Sequence, residues 1–224
     1  MALESRPHNK TTTNDEKDIV TSKGLYCLTD NPFFATGDTT KMIIEIRFHG
    51  RAGQGMVTAA ELVAMAATTE GKYSQAFPFF GSEKRGPPVA AYCRISDKPI
   101  TIHEQITLPD IVIVADHTII GAVDVTAGLK DDGWLIINTT KPLADLGITL
   151  KPKQKALLID GTSIALEHLG KAITNTVMLG AFVKATGIVK LESLEKALAE
   201  QFPAPIAEKN VLVINESFEK AVEK

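Results

Sequence analysis

The chain has 224 residues, 44% of them apolar and 23% charged, with a formal net charge of −3. That length suits one full α/β domain with appendages, and the charge gives no global pull toward nucleic acid or an anionic membrane. No apolar run is long enough to cross a bilayer, and the N-terminal stretch lacks the apolar core of a secretory signal. Two cysteines, Cys27 and Cys93, are too few for a disulfide framework, a zinc site or an iron–sulfur cluster, so both are expected to be reduced thiols in a cytoplasmic protein.

Residues 1–41 are polar and rich in Thr, Asn, Lys and Asp, with no sustained apolar period. Such a segment buries too little surface to offset its own ordering entropy. Leu25, Tyr26, Leu28, Phe33 and Phe34 form a short apolar patch within it, so the arm reads either as a disordered tail or as a docking peptide. Residues 42–224 read as the folded domain. "MIIEIRF" is a β-branched strand, and "MVTAAELVAMAATTEG" has helical spacing closed by Gly71. "KYSQAF" is a second strand, and "FPFFGSEKRGPP" is a loop by its glycines and prolines. "VAAYCRI" and "PITIHE", separated by Ser96, Asp97 and Lys98, predict a hairpin. "DIVIVAD", "WLIINT" and "ALLIDG" are continuous apolar strands of the kind buried on both faces. "TIIGAVDVTAG" predicts a short helix, and four helical stretches close the chain, with Leu191, Leu194, Ala197 and Leu198 giving one of them an apolar face. The alternation predicts an α/β fold: a doubly wound, Rossmann-like, mostly parallel sheet with a short hairpin and a helical C-terminal part.

Two stretches carry chemistry. In "FHGRAGQGMV" the glycines are Gly50, Gly53 and Gly55, in the spacing G-x-x-G-x-G. The dinucleotide fingerprint has another spacing and needs an acid at the end of the second strand, and no Asp or Glu stands near Phe77. The Walker pattern fails for want of a Lys-Ser or Lys-Thr. A complete nicotinamide or ATP site is therefore disfavoured. The turn still offers the free N–H groups of a helix start, together with Arg51 and Gln54, to a phosphate or carboxylate. Alternatively, its glycines serve only close strand–helix packing. The second stretch, "QAFPFFGSEKRGPP", sets Ser82, Lys84, Arg85 and Gly86 beside Phe77, Phe79 and Phe80. Its cations suit phosphate, and its aromatics and prolines suit an interface. Asp116 with His117, and Asp160, end strands, where acids serve either acid–base chemistry or helix capping. His103 beside Glu104 reads as a surface pair, and Asn175 as a helix-start residue. No nucleophile–base constellation and no metal-ligand spacing emerges.

Three motifs in register, "IEIRFHGRAGQGMVTAAELVA", "GKYSQAFPFFGSEKRGPPVAAYCRI" and "ITNTVMLGAFVKATG", resemble the gamma-subunit family of pyruvate:ferredoxin oxidoreductase (pyruvate synthase), a subunit type also used in 2-ketoisovalerate:ferredoxin oxidoreductase. The likeness covers about residues 42–222. It implies a complex that converts a 2-oxoacid and coenzyme A to acyl-CoA, carbon dioxide and reduced ferredoxin. It also implies alpha, beta and delta partners that carry thiamine diphosphate, magnesium and the iron–sulfur clusters, with no cofactor held by this chain alone and no catalytic residue of its own. On that reading Gly50, Arg51, Gly53, Gln54, Gly55, Ser82, Lys84, Arg85 and Gly86 are candidates for the coenzyme A end of the active site.

Overall fold

The computed structural model describes residues 43–79 and 88–223. Its centre is a seven-stranded mixed sheet built from β1 (Ile43–Arg51), β2 (Tyr73–Phe79), β3 (Pro88–Ser96), β4 (Ile111–Val114), β5 (Trp134–Asn138), β6 (Lys155–Ile159) and β7 (Val222–Glu223). The order across the sheet is β2-β3-β1-β4-β5-β6-β7. β1, β4, β5 and β6 run parallel, while β2–β3, β3–β1 and β6–β7 are antiparallel. Among the described residues there are five α-helices: α1 (Met56–Thr69), α2 (Gly161–Leu169), α3 (Asn175–Thr186), α4 (Leu191–Gln201) and α5 (Ala204–Lys220). Among the described residues no helix is long and apolar enough to cross a membrane.

The α/β class is the one the sequence predicts, and the strand alternation explains how the sheet is covered. On β1, Ile44, Ile46 and Phe48 enter the larger core with buried residues of α1, α3, α4 and α5. Residues of opposite parity on the central strands, Val112, Val114, Leu135 and Ile137, form a second core. Among the described residues no α-helix closes that side, only short 3-10 segments and turns. It is covered by turns that bring down Ile119, Val125 and Leu129, with Leu143 and Leu146 partly buried against them. The four residues of β4 are all buried, because parallel strands covered on both faces have no solvent side.

Three local expectations change. The hairpin is β2–β3, joined through 80–87, and not "VAAYCRI" with "PITIHE". Residues 99–104 form no strand. Arg94, 1% exposed, donates to the carbonyls of Ile102 and Glu104, so these acceptors go to a guanidinium rather than to a ladder. Arg94 also pairs with Glu45 at 3.0 Å and lies over the Phe77 ring. The predicted helix at "TIIGAVDVTAG" is a single 3-10 turn, His117–Ile119, followed by turns. Val222 and Glu223, read as the end of a helix, instead pair with Leu158 and Leu157 as an edge strand.

Candidate functional site

The chain leaves β1 through α1 toward β2 and β3, and leaves β4 toward β5, so neighbouring parallel strands send their connections in opposite directions. Open α/β sheets form their ligand crevice at such a switch point, outside the carboxyl ends of the strands. Here those ends are Arg51 and Val114, and the glycine turn follows directly on Arg51, at that switch point.

The turn owes its shape to its glycines. Gly53 and Gly55 have φ of 88° and 73°, a region that a Cβ makes costly. A Cβ on Gly55 would stand 2.5 Å from Asn175 Nδ2 at the start of α3, whereas one on Gly53 would meet nothing within 4 Å. Gly55 thus permits close packing, and Gly53 leaves open backbone at the mouth of the crevice. The Gln54 side chain folds back, accepting from Arg51 N at 2.7 Å and donating to Asp116 Oδ2 at 3.1 Å. α1 begins with no side-chain cap and no acid in its first turn, so its leading N–H groups face the crevice side with a partial positive field.

Asp116 ties the two strand ends together. Arg51 Nε donates to its Oδ2 at 3.2 Å, while Thr118 N and Oγ1 donate to Oδ1 at 2.9 and 2.6 Å. Burial pushes the Asp116 carboxyl up, but hydrogen bonds from Thr118 and Gln54 and the charge of Arg51 outweigh it, leaving the group below the usual carboxylate range. Asp116 is therefore an ionised cap that positions Arg51. Asp160 likewise caps α2 through Ser163 N at 3.1 Å. The capping alternative holds for both acids. The floor of the crevice is polar: Asn138 Nδ2 donates to the Ala115 carbonyl and to Thr162 Oγ1, its Oδ1 accepts from Gly161 N, and Thr174 Oγ1 donates to the Ala115 carbonyl. Thr118, Asn138 and Thr174 were not singled out in the sequence, because their link to the turn exists only once β4, β5 and α3 are assembled.

Beside the turn, β1 sends Arg47 and His49 to the face without helices. Both are more than nine-tenths buried. Arg47 donates to the carbonyls of Val125 and Ala127. Burial first, and then the charge of Arg47, push the His49 pKa down to about 3, so the ring is neutral.

Of the nine candidate residues, Gly50 and Arg51 end β1, and Gly53, Gln54 and Gly55 form the turn that follows it. Ser82, Lys84, Arg85 and Gly86 lie outside the described residues. Their described flank is informative: Pro88 is in register with Arg51, and Phe79 pairs with Ala90 one strand away. Phe77 and Phe79 pack on Tyr92 with ring centroids 5.2 and 6.1 Å apart. His103 is bonded to Gln75 rather than to Glu104, and Asn175 opens α3 as expected.

A seven-stranded mixed sheet with a glycine elbow at its switch point defines an α/β protein of the open-sheet class. More particularly, the chain belongs to the pyruvate ferredoxin/flavodoxin oxidoreductase family, whose profile matches residues 45–220. It is 55% identical over 179 residues to the "Pyruvate/ketoisovalerate oxidoreductases common subunit gamma" of Pyrococcus furiosus, covering 80% of this chain and 97% of that one. It is 51% identical to the "Pyruvate synthase subunit PorC" of Methanothermobacter marburgensis, with the same coverage. The crystal structure of pyruvate oxidoreductase subunit PORC from Thermotoga maritima superposes with a TM-score of 0.72 at 37% identity, over 82% of this chain and 99% of that one.

Proposed function

We propose that this chain is the gamma subunit of a multi-subunit pyruvate:ferredoxin oxidoreductase, which converts pyruvate, coenzyme A and oxidised ferredoxin to acetyl-CoA, carbon dioxide and reduced ferredoxin. The observation that carries this reading is the 55% identity over nearly the full length of a relative named as a gamma subunit. That relative is named as common to pyruvate and ketoisovalerate enzymes, so the same chain suits a branched-chain 2-oxoacid complex. Its alpha, beta and delta partners hold thiamine diphosphate, magnesium and the iron–sulfur clusters, with ferredoxin as electron acceptor. This chain's own cysteines do not fit an iron–sulfur cluster. It has two cysteines in all, and the buried Cys93 thiol is pushed up by desolvation, away from the thiolate a cluster needs.

The chain's own contribution is to bind and orient. The uncapped start of α1 and the open backbone at Gly53 suit a phosphate oxygen. Arg51, held by Asp116 and Thr118, presents a fixed cation beside them. Ser82, Lys84, Arg85 and Gly86 lie outside the described residues, and their chemistry, two cations, a hydroxyl and a glycine in the connection that ends at Pro88 in register with Arg51, makes them candidates for the same anion. Together they receive the phosphates of coenzyme A and align its thiol end with a reaction centre on the partner chains. The test is the KM for coenzyme A in assembled complexes carrying Arg51→Ala, Lys84→Ala or Arg85→Ala. A rise of about tenfold, corresponding to about 1.4 kcal/mol, is expected where a phosphate contact is lost. Unchanged KM with normal assembly rejects the site.

A further inference from the structure

Away from the crevice, α2 and α5 bring three side chains together that the oxidoreductase reading does not use. Glu167 and His168 stand near the C-terminal end of α2, and Glu216 stands on α5, one turn before Lys220. One ligand atom from each of Glu167, His168 and Glu216 lies within 4.8 Å of the other two. Among the described residues this is the only such group of His, Cys, Asp or Glu side chains.

We propose that Glu167, His168 and Glu216 bind a single divalent ion of the zinc type, which staples α5 to α2. Zinc takes imidazole nitrogen and carboxylate oxygen at about 2.0–2.2 Å, so two ligands on one ion stand at most roughly 4.3 Å apart. The observed limit of 4.8 Å exceeds that span by only about half an ångström. The imidazole sets the selectivity. Magnesium and calcium prefer all-oxygen shells, whereas a nitrogen with two carboxylates suits zinc, cobalt or nickel. Three protein ligands at an accessible surface leave a position for water.

Lys220 is the evident competitor, since it pairs with Glu216. The two carboxylate oxygens are divided, however: Lys220 meets Oε1, and His168 Nε2 meets Oε2. An ion between His168 and Oε2 replaces the His168–Glu216 hydrogen bond and leaves Lys220 on the other oxygen, where it orients the carboxylate as outer partners of metal ligands do. α5 leads directly into β7, the edge strand beside β6. The ion therefore secures the C-terminal helix and the last strand against the sheet, at a distance from the coenzyme A crevice.

The test is titration of the full-length, chelator-treated chain with Zn2+ by calorimetry, with the thermal midpoint followed in parallel. One equivalent should bind and raise the midpoint, while Mg2+ at the same concentration should not. His168→Ala and Glu216→Gln should each weaken Zn2+ binding by more than about tenfold and abolish the midpoint rise. Lys220→Ala should leave binding equal or tighter. Glu167 is exposed, so Glu167→Gln repeats the test without disturbing packing if another variant fails to fold. Absence of Zn2+ binding by the wild-type chain overturns the proposal. So does wild-type affinity in His168→Ala or, should that variant not fold, in Glu167→Gln.

Discussion

Replacing Gly55 with alanine probes both constraints on the turn at once. The residue has φ 73°, and a Cβ in that left-handed region costs about 1–2 kcal/mol. The same Cβ would stand 2.5 Å from Asn175 Nδ2 and 3.1 Å from its Cγ. Asn175 is 7% exposed, so its amide has little room to swing aside, and overpacking of this kind adds about 1–2 kcal/mol. The total is about 2–4 kcal/mol, or a fall of about 4–15 °C in thermal midpoint for a chain of this size. Gly53→Ala isolates the backbone share, because φ is 88° with nothing within 4 Å, and it should cost only about 1–2 kcal/mol. The contact share should return in the double variant Gly55→Ala/Asn175→Ala, with a coupling of at least about 0.5 kcal/mol in the cycle. Chemical denaturation of the wild type, Gly53→Ala, Gly55→Ala, Asn175→Ala and the double variant measures all of this. Equal losses for Gly53→Ala and Gly55→Ala, with no coupling to Asn175, would refute the claim that Gly55 exists to let α1 approach α3.

Four further outcomes follow from the geometry. A Cβ on Gly180 would meet the Ile214 carbonyl oxygen at 2.1 Å, and Ser217, which donates to the Val177 carbonyl, at 2.9 Å; Gly180→Ala should cost about 2–4 kcal/mol by urea denaturation despite its better helix propensity. Because the folded pKa of His49 is about 3 and the unfolded value about 6.5, the unfolded chain takes up the proton first. The linked stability is full above about pH 6.5 and is lost as pH falls toward about 3, at up to about 1.4 kcal/mol per pH unit, so His49→Gln should flatten the stability slope between about pH 4 and 6. The Arg51–Asp116 pair leaves Arg51 42% exposed in its side chain, so Arg51→Ala should change stability by less than about 1 kcal/mol, and a larger loss in calorimetry would assign Arg51 a structural role. Cys93 is fully buried and its thiol is pushed up, so alkylation should label it only after denaturation.

The frame of the fold was legible because its signals are local. The apolar runs of β4, β5 and β6 and the period of α1 need no tertiary context to be read. The errors arose where a distant group captured the backbone. "PITIHE" has strand composition, but Arg94 takes two of its carbonyls. "TIIGAVDVTAG" has helical composition, but the Asp116 cap and the Asp124 cap, which accepts from Thr126 N at 3.0 Å, break it into turns. β7 is too short to show a period, and only the position of α5 delivers it to β6. In the site, Gly53 and Gly55 announced a special backbone, and the end of β1 announced a crevice. The Gln54–Asp116–Arg51 network joins residues more than sixty positions apart and could not be read from spacing.

The central claim is that this chain completes a catalytic centre carried by sister subunits. It is tested most directly by omission and add-back: alpha, beta and delta subunits are purified without this chain, and coenzyme A-dependent reduction of ferredoxin by pyruvate is followed before and after it is supplied. The account predicts negligible turnover without the chain, full turnover at one equivalent, and none from the chain alone. Full turnover in its absence, or oxidation of pyruvate by the isolated chain, would contradict it.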